Sequence, residues 1–141
     1  MNLPAALRYL DDHVNLEATA GRVHGLSLER MQRLCEVLGD PQHAYPVVHV
    51  TGTNGKGSTV RMISALLRSA GLSVGTYTSP HLERLNERLA WDGADIDDDA
   101  LAEAIGAVAA LEPVAGVRPS VWSWPTLVST ATWASATLVA S

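Results

Sequence analysis

The chain has 141 residues, a formal net charge of −5 and an apolar fraction of 47%. That length gives room for one domain with a modest core, and the acidic balance excludes a general nucleic-acid binder, which needs a basic face. Cys35 is the one cysteine, so no internal disulfide can form, which fits a reducing, cytoplasmic setting.

The first stretch, MNLPAALRYLDDHV, lacks the basic start and long apolar run of a signal peptide. Within it, residues 4–11 predict a short helix with proline near its start. Residues 27–38, SLERMQRLCEVL, predict another, with Ser27 as N-cap candidate and Arg30 where a capping box wants glutamate. Leu28, Met31, Leu34, Cys35 and Leu38 recur at helical spacing as a buried stripe, and GDPQ at 39–42 stops the helix. VVHV at 47–50 is short, apolar and β-branched, which suits a buried strand.

Residues 58–71, STVRMISALLRSAG, carry Val60, Ile63, Leu66 and Leu67 at helical spacing and a glycine at the end. SVGTYT at 73–78 predicts a second strand. Strand, glycine loop, helix and strand make a βαβ unit, which implies a parallel pair and a right-handed crossover. Residues 79–96 are polar and irregular, with RLAWDG suggesting a hairpin arm. Residues 97–113 predict a further helix, acidic in its first turn and ended by Pro113. The tail then changes composition: no charge follows Arg118, and Trp122, Trp124 and Trp133 lie there. Its length would let it span a bilayer. Its many Ser and Thr residues, its proline and the lack of a flanking basic cluster make a buried helix or strand the better expectation, and no membrane partner is expected.

The stretch HVTGTNGKGST, residues 49–59, is where chemistry concentrates. Gly52, Gly55 and Gly57 permit the close backbone approach and unusual dihedrals that crowding an anion requires. Thr53 and Asn54 complete the turn, and a helix starting near Gly57 adds N–H donors and a positive dipole end. Lys56 adds a mobile charge for terminal phosphates, and Ser58 or Thr59 adds a hydroxyl for a phosphate or a magnesium ion. The spacing departs from G-x-x-x-x-G-K-[ST], since Val50 stands five before Gly55 and Gly57 follows Lys56. A plain glycine turn is the bland alternative, but it needs neither the lysine nor the two hydroxyls.

VTGTNGKGST is similar to the variant P-loop of the Mur ligase superfamily, and together with YTSPHL and NER it resembles folylpolyglutamate synthase and dihydrofolate synthase. The resemblance covers roughly residues 5–112. It implies an α/β fold with a P-loop-type parallel sheet flanked by helices, an incomplete N-terminal ATPase domain of a Mur-ligase-like fold. It also implies an ATP- and Mg2+-dependent amide ligase acting on pteroate or folate and on glutamate through an acyl phosphate. By position, Gly52, Thr53, Asn54, Gly55, Lys56, Gly57, Ser58 and Thr59 would bind ATP phosphates, with Lys56 catalytic. Ser79 would match the family's magnesium-binding serine, joined by Ser58, and Arg88 and His81 would face the substrate. A turn serine, a solvated arginine and a structural histidine are the bland alternatives for Ser79, Arg88 and His81. His49, inside VVHV, suits a local hydrogen bond, His13, His24 and His43 show no metal-ligand spacing, Asp97–Asp99 suit a capped helix start, and Cys35 suits a core.

Departures from that family bear on function. The sequence holds no EVGLGG-type segment with its magnesium-binding glutamate, and Ser123 stands where the family shows a glutamate. The expected organisation is therefore a partial N-terminal ATP-binding domain over residues 1–141, with an atypical uncharged tail over 119–141 of the kind a frameshift or truncation would leave. The competing expectations are a non-catalytic ATP-phosphate-binding module and a different P-loop enzyme such as a small kinase; the SPHL and NER segments argue against the latter.

Overall fold

The computed structural model describes residues 1–12, 29–116 and 137–140. Its strands are β1 (Val47–Val50), β2 (Gly75–Tyr77), β3 (Leu89–Trp91), β4 (Ala94–Asp95) and β5 (Thr137–Ala140), joined in one sheet of order β1-β5-β2-β3-β4. Its helices are α1 (Leu3–Asp11), α2 (Glu29–Val37), α3 (Lys56–Ser69) and α4 (Asp98–Ala115). The expected parallel sheet is present only in part. β5 pairs in parallel with both β1 and β2, whereas β3 and β4 run antiparallel, so the sheet is mixed. β1 and β2 are indeed co-directional, but β5 lies between them. A crossover through α3 leaves a gap between its two strands, and a strand from far along the chain fills it.

Two apolar clusters lie on opposite faces of the sheet. Val74 and Tyr77 are three residues apart in extended chain and so point opposite ways. Val74 packs with Val60 of α3, flanked by Val50, Ile63 and Leu67. Tyr77 joins Leu89, Ile96, Leu34, Ala6 and the buried side of α4 in the larger cluster. α1 and α2 both pack on α4.

Local chemistry accounts for most element ends. Asn2 caps α1 by accepting from the Ala5 N–H at 3.0 Å, and Asp97 caps α4 by accepting from the Ala100 N–H at 2.8 Å. The aspartate run is thus a capped helix start. α4 does not end at Pro113. It runs two residues further to bury Ala115, and left-handed Gly116 closes it with its N–H on the Glu112 carbonyl. The RLAWDG segment forms the β3–β4 hairpin through Asp92 and Gly93, both at positive φ. Asp92 also exchanges two hydrogen bonds with Val74, through its N–H and its carboxylate.

Three further expectations are corrected. α3 starts at Lys56 rather than at 58, because left-handed Gly55 already ends the loop. Leu66 is exposed, as the apolar residues that α3 turns to the sheet are Val60, Ile63 and Leu67. Val47, Val48 and His49 are exposed although they form the expected strand, since β1 is the edge of the sheet among the described residues and α3 packs at its Val50 end. Within α2, Leu34 is fully buried and Cys35 half-buried, as the stripe predicts. Ser27, Leu28, His13, His24, Ser123 and most of the uncharged tail lie outside the described residues, as does the domain division at 119. No helix among the described residues is long and apolar enough to cross a membrane.

Candidate functional site

Two loops leave the same edge of the sheet. The parallel register aligns Val48, Leu138 and Thr76, then His49, Val139 and Tyr77, so β1 and β2 end level with each other. Their separation is two strand spacings, about 10 Å. The carboxyl edge of parallel strands is where α/β sheets bind ligands.

The first loop, residues 51–55, joins β1 to α3. Gly52 has φ +148° and Gly55 φ +79°, conformations that disfavour any side chain. No atom lies within 4 Å of where a Cβ on Gly52, Gly55 or Gly57 would sit, so the space in front of this backbone is open. The N–H groups of Gly55, Lys56, Gly57 and Ser58 open the helix and have no intrahelical acceptor, while Thr59 N–H already donates to the Gly55 carbonyl at 2.9 Å. Lys56, first residue of α3, folds its Nζ back to donate to the Gly52 carbonyl at 2.5 Å. The ammonium is therefore held across the mouth of the loop. Thr59 spends its hydroxyl on the Gly55 carbonyl at 2.9 Å, which leaves exposed Ser58 as the hydroxyl facing outward. Thr53 and Asn54 are exposed at the tip. The arrangement can wrap an anion in backbone donors, with one mobile cation.

The second loop follows β2. Thr78 extends that strand, its N–H on the Arg88 carbonyl at 2.9 Å. Ser79 and His81 are half-buried, and the Ser79–Pro80 peptide is cis. Arg88 is buried, not the solvated arginine that a loop position suggests, and its Nε donates to His81 Nδ1 at 2.7 Å. A neutral His81 accepting at Nδ1 carries its proton on Nε2, so the ring keeps an Nε2–H to donate. The structure thus joins two of the expected site residues, Arg88 and His81, and puts Ser79 two residues away on the same loop.

Two neighbours in the same segment were not anticipated. Glu87 accepts from the N–H groups of Leu82, Glu83 and Arg84 at 2.8, 2.9 and 2.7 Å. Those three backbone donors, Leu82 first, hold its carboxyl below the usual glutamate range. Asn86 is buried and donates to the Ile96 carbonyl at 2.8 Å and to Asp98 at 3.1 Å, while Arg84 pairs with the same carboxylate. This ties the segment to the start of α4. The signal was in plain sight as NER, but carboxylate-to-amide contacts across a loop leave no periodicity to read.

No family model matches the chain. Among curated proteins, the folylpolyglutamate synthase of Lacticaseibacillus casei is 41% identical over 113 residues, covering 79% of this chain and 25% of that protein. The dihydrofolate synthase/folylpolyglutamate synthase of Bacillus subtilis is 47% identical over 72 residues, covering 51% and 17%. Among solved structures, the bifunctional folylpolyglutamate synthase/dihydrofolate synthase of Yersinia pestis superposes with a TM-score of 0.82 at 28% identity, over 99% of this chain and 34% of that one. A folylpolyglutamate synthase complex with AMPPCP and folate gives 0.83 at 30%, over 99% and 35%. A bifunctional synthase with Mn, AMPPNP and L-glutamate bound gives 0.79 at 29%, over 99% and 33%. The chain therefore spans a quarter or less of these curated relatives and about a third of the solved chains.

Proposed function

Because the chain belongs to the folylpolyglutamate and dihydrofolate synthase family over the stretch it shares with them, we propose that it forms the ATP-phosphate half of an amide ligase that joins glutamate to a pteroate or folate carboxylate. One observation carries this reading. Lys56 and the opening N–H groups of α3 surround an open, glycine-lined space at the carboxyl edge of the parallel strands. That is a P-loop in its physical function.

On nucleotide binding, the Lys56 ammonium leaves the Gly52 carbonyl for the β- and γ-phosphates, and the N–H groups of Gly57 and Ser58 take phosphate oxygens. Magnesium favours hard oxygen ligands and keeps water and substrate phosphates around it. The Ser58 and Ser79 hydroxyls are donors of that kind. Among the described residues no cluster of three or more His, Cys, Asp or Glu could hold a metal by itself. When bound, such an ion neutralises charge on the transferring phosphoryl group.

A carboxylate is a poor electrophile until one of its oxygens becomes a good leaving group. The substrate carboxylate oxygen attacks the γ-phosphorus, and the bond to the β,γ-bridging oxygen breaks, giving an acyl phosphate and ADP. The α-amine of glutamate then attacks the acyl carbon and loses a proton. The acyl carbon–oxygen bond breaks, giving an amide and phosphate. Lys56 stabilises the charge that builds in the first step. His81, steadied by Arg88, offers its Nε2–H to the substrate.

A second reading is favoured by the exposure of Gly52 to Gly55 and Ser58. An acyl phosphate survives only where water is excluded. The chain by itself then binds nucleotide without ligating. Both readings are tested by titrating AMPPNP and by following ATP-dependent incorporation of labelled glutamate into dihydropteroate and folate. Ligation supports the first, and binding without turnover the second. AMPPNP affinity unchanged in Lys56→Ala would sink the phosphate-site reading common to both.

A further inference from the structure

The 3-10 turn Leu85–Arg88 touches the Ser79 loop from several directions. The Arg88 and Glu87 carbonyls hold Thr78, through its N–H at 2.9 Å and its hydroxyl at 3.4 Å. The Arg88 guanidinium holds His81. The Glu87 carboxylate gathers the three consecutive N–H groups of residues 82–84. Capping the turn requires only the contact with Arg84, the residue that precedes it. The contacts to Leu82 and Glu83 reach five and four residues back, into the loop. They fix the backbone just after His81, while Leu82 itself is 92% exposed and contributes little apolar packing to hold it. The Arg84 side chain is also tied to Asp98, so the contacts to Leu82 and Glu83 are the ones that Glu87 alone supplies.

We infer that Glu87 is a positioning residue for the proposed site: its carboxylate sets the path of residues 79–84 and thereby places the Ser79 hydroxyl and the His81 ring. This rests on the ligase reading above. In this role Glu87 acts through the loop, by its contacts with the N–H groups of residues 82–84. A glutamine there keeps one acceptor oxygen but turns an NH2 toward N–H donors, so it should rescue only in part.

The test compares the whole chain with its Glu87→Ala and Glu87→Gln variants. Three quantities are measured: amide exchange at residues 82–84, the His81 tautomer by nitrogen-15 NMR, and affinity for folate and for magnesium-free AMPPNP. The expected result for Glu87→Ala has three parts. Exchange at 82–84 is faster, the His81 Nδ1 acceptor signature is lost, and folate affinity falls by roughly tenfold or more, as when a supporting residue is removed. Magnesium-free AMPPNP affinity stays within about twofold, as expected of independent sites. Glu87→Gln falls between. Wild-type exchange and tautomer in Glu87→Ala would overturn the inference, as would a parallel loss of both ligands, which marks a general loss of structure. A wild type that binds no AMPPNP fails the ligase reading instead, and the exchange and tautomer comparison still decides what Glu87 does.

Discussion

The two glycines flanking Lys56 should behave oppositely when changed to alanine. Neither Gly55 nor Gly57 has any atom within 4 Å of a built Cβ, so sterics outside the backbone do not distinguish them. Backbone conformation does. Gly55 sits at φ +79°, where an L side chain costs about 1–2 kcal/mol. Gly57 is the second residue of α3 with ordinary helical geometry, where alanine gains up to about 1 kcal/mol over glycine. Gly55→Ala is therefore expected to destabilise the chain and Gly57→Ala to stabilise it. With a urea slope of about 2 kcal/mol per M, the two midpoints part by about 1 M.

Circular dichroism through a urea titration reads those midpoints, and AMPPNP titration on the same samples reads the site. Both alanines put a methyl into the space left open for an anion, so both should weaken AMPPNP. Gly57→Ala would then be the more stable and yet the poorer binder. Equal midpoints, or a lower one for Gly57→Ala, would refute the backbone argument. Full AMPPNP affinity in Gly57→Ala would refute the close approach of phosphate to that backbone.

Other outcomes follow from single contacts. Asp97→Ala removes the N-cap of α4 and should cost about 1 kcal/mol in the same titration; Asp97→Ser should recover most of it. Glu87 has a folded-state pKa lowered by its three backbone N–H partners, so its hold on the loop is complete above the ordinary glutamate value of about 4.3 and is lost as pH falls through its lower folded value. Amide shifts of Leu82, Glu83 and Arg84 should move together in that acid window, and movement centred at neutral pH would contradict the assignment. Burial first, then the Asp40 carboxylate, push the Cys35 thiol up, so Asp40→Asn should speed its reaction with a disulfide reagent at mildly alkaline pH. Val47 and Val48 present apolar side chains on both faces of an edge strand, which favours pairing between chains. Val48→Lys should shift sedimentation toward monomer.

What the sequence disclosed and what it concealed divide along the range of the interactions. The glycine loop, the helix after it and the aspartate cap are built from contacts within about four residues, and composition and spacing expose those. The motif around Arg88 and His81 singles them out, but their mutual hydrogen bond, and the burial that makes Arg88 more than a surface charge, depend on how the loop folds back. The exposure of Leu66 and of most of β1, a strand with the bounds its composition predicts, departs from expectation for the same reason. Periodicity reports which residues share a face, and only the neighbouring elements decide whether that face is covered. Pro113 does not end α4, because a buried alanine and a left-handed glycine lie just beyond it.

The spacing of the two site loops is the least local property of all. Each loop is made from its own stretch of chain, yet their separation is fixed by β5, some sixty residues beyond β2. β1 has no ladder partner except β5 among the described residues, whereas β2 keeps β3 on its other side. Successive N–H groups in a strand point to opposite neighbours, and proline has none to give. Leu138→Pro with Val139→Pro should therefore break a bond on each side of β5. Amide exchange is then expected to rise throughout residues 47–50 and to change little at 89–91, where the β2–β3 pairing survives. The Lys56 loop would lose its distance to Ser79 while keeping its own shape. AMPPNP should still bind weakly to the free loop and helix, and folate should not bind at all. Protection retained at 47–50 would show that β1 is held by something other than β5. The two-loop site would then need a different account.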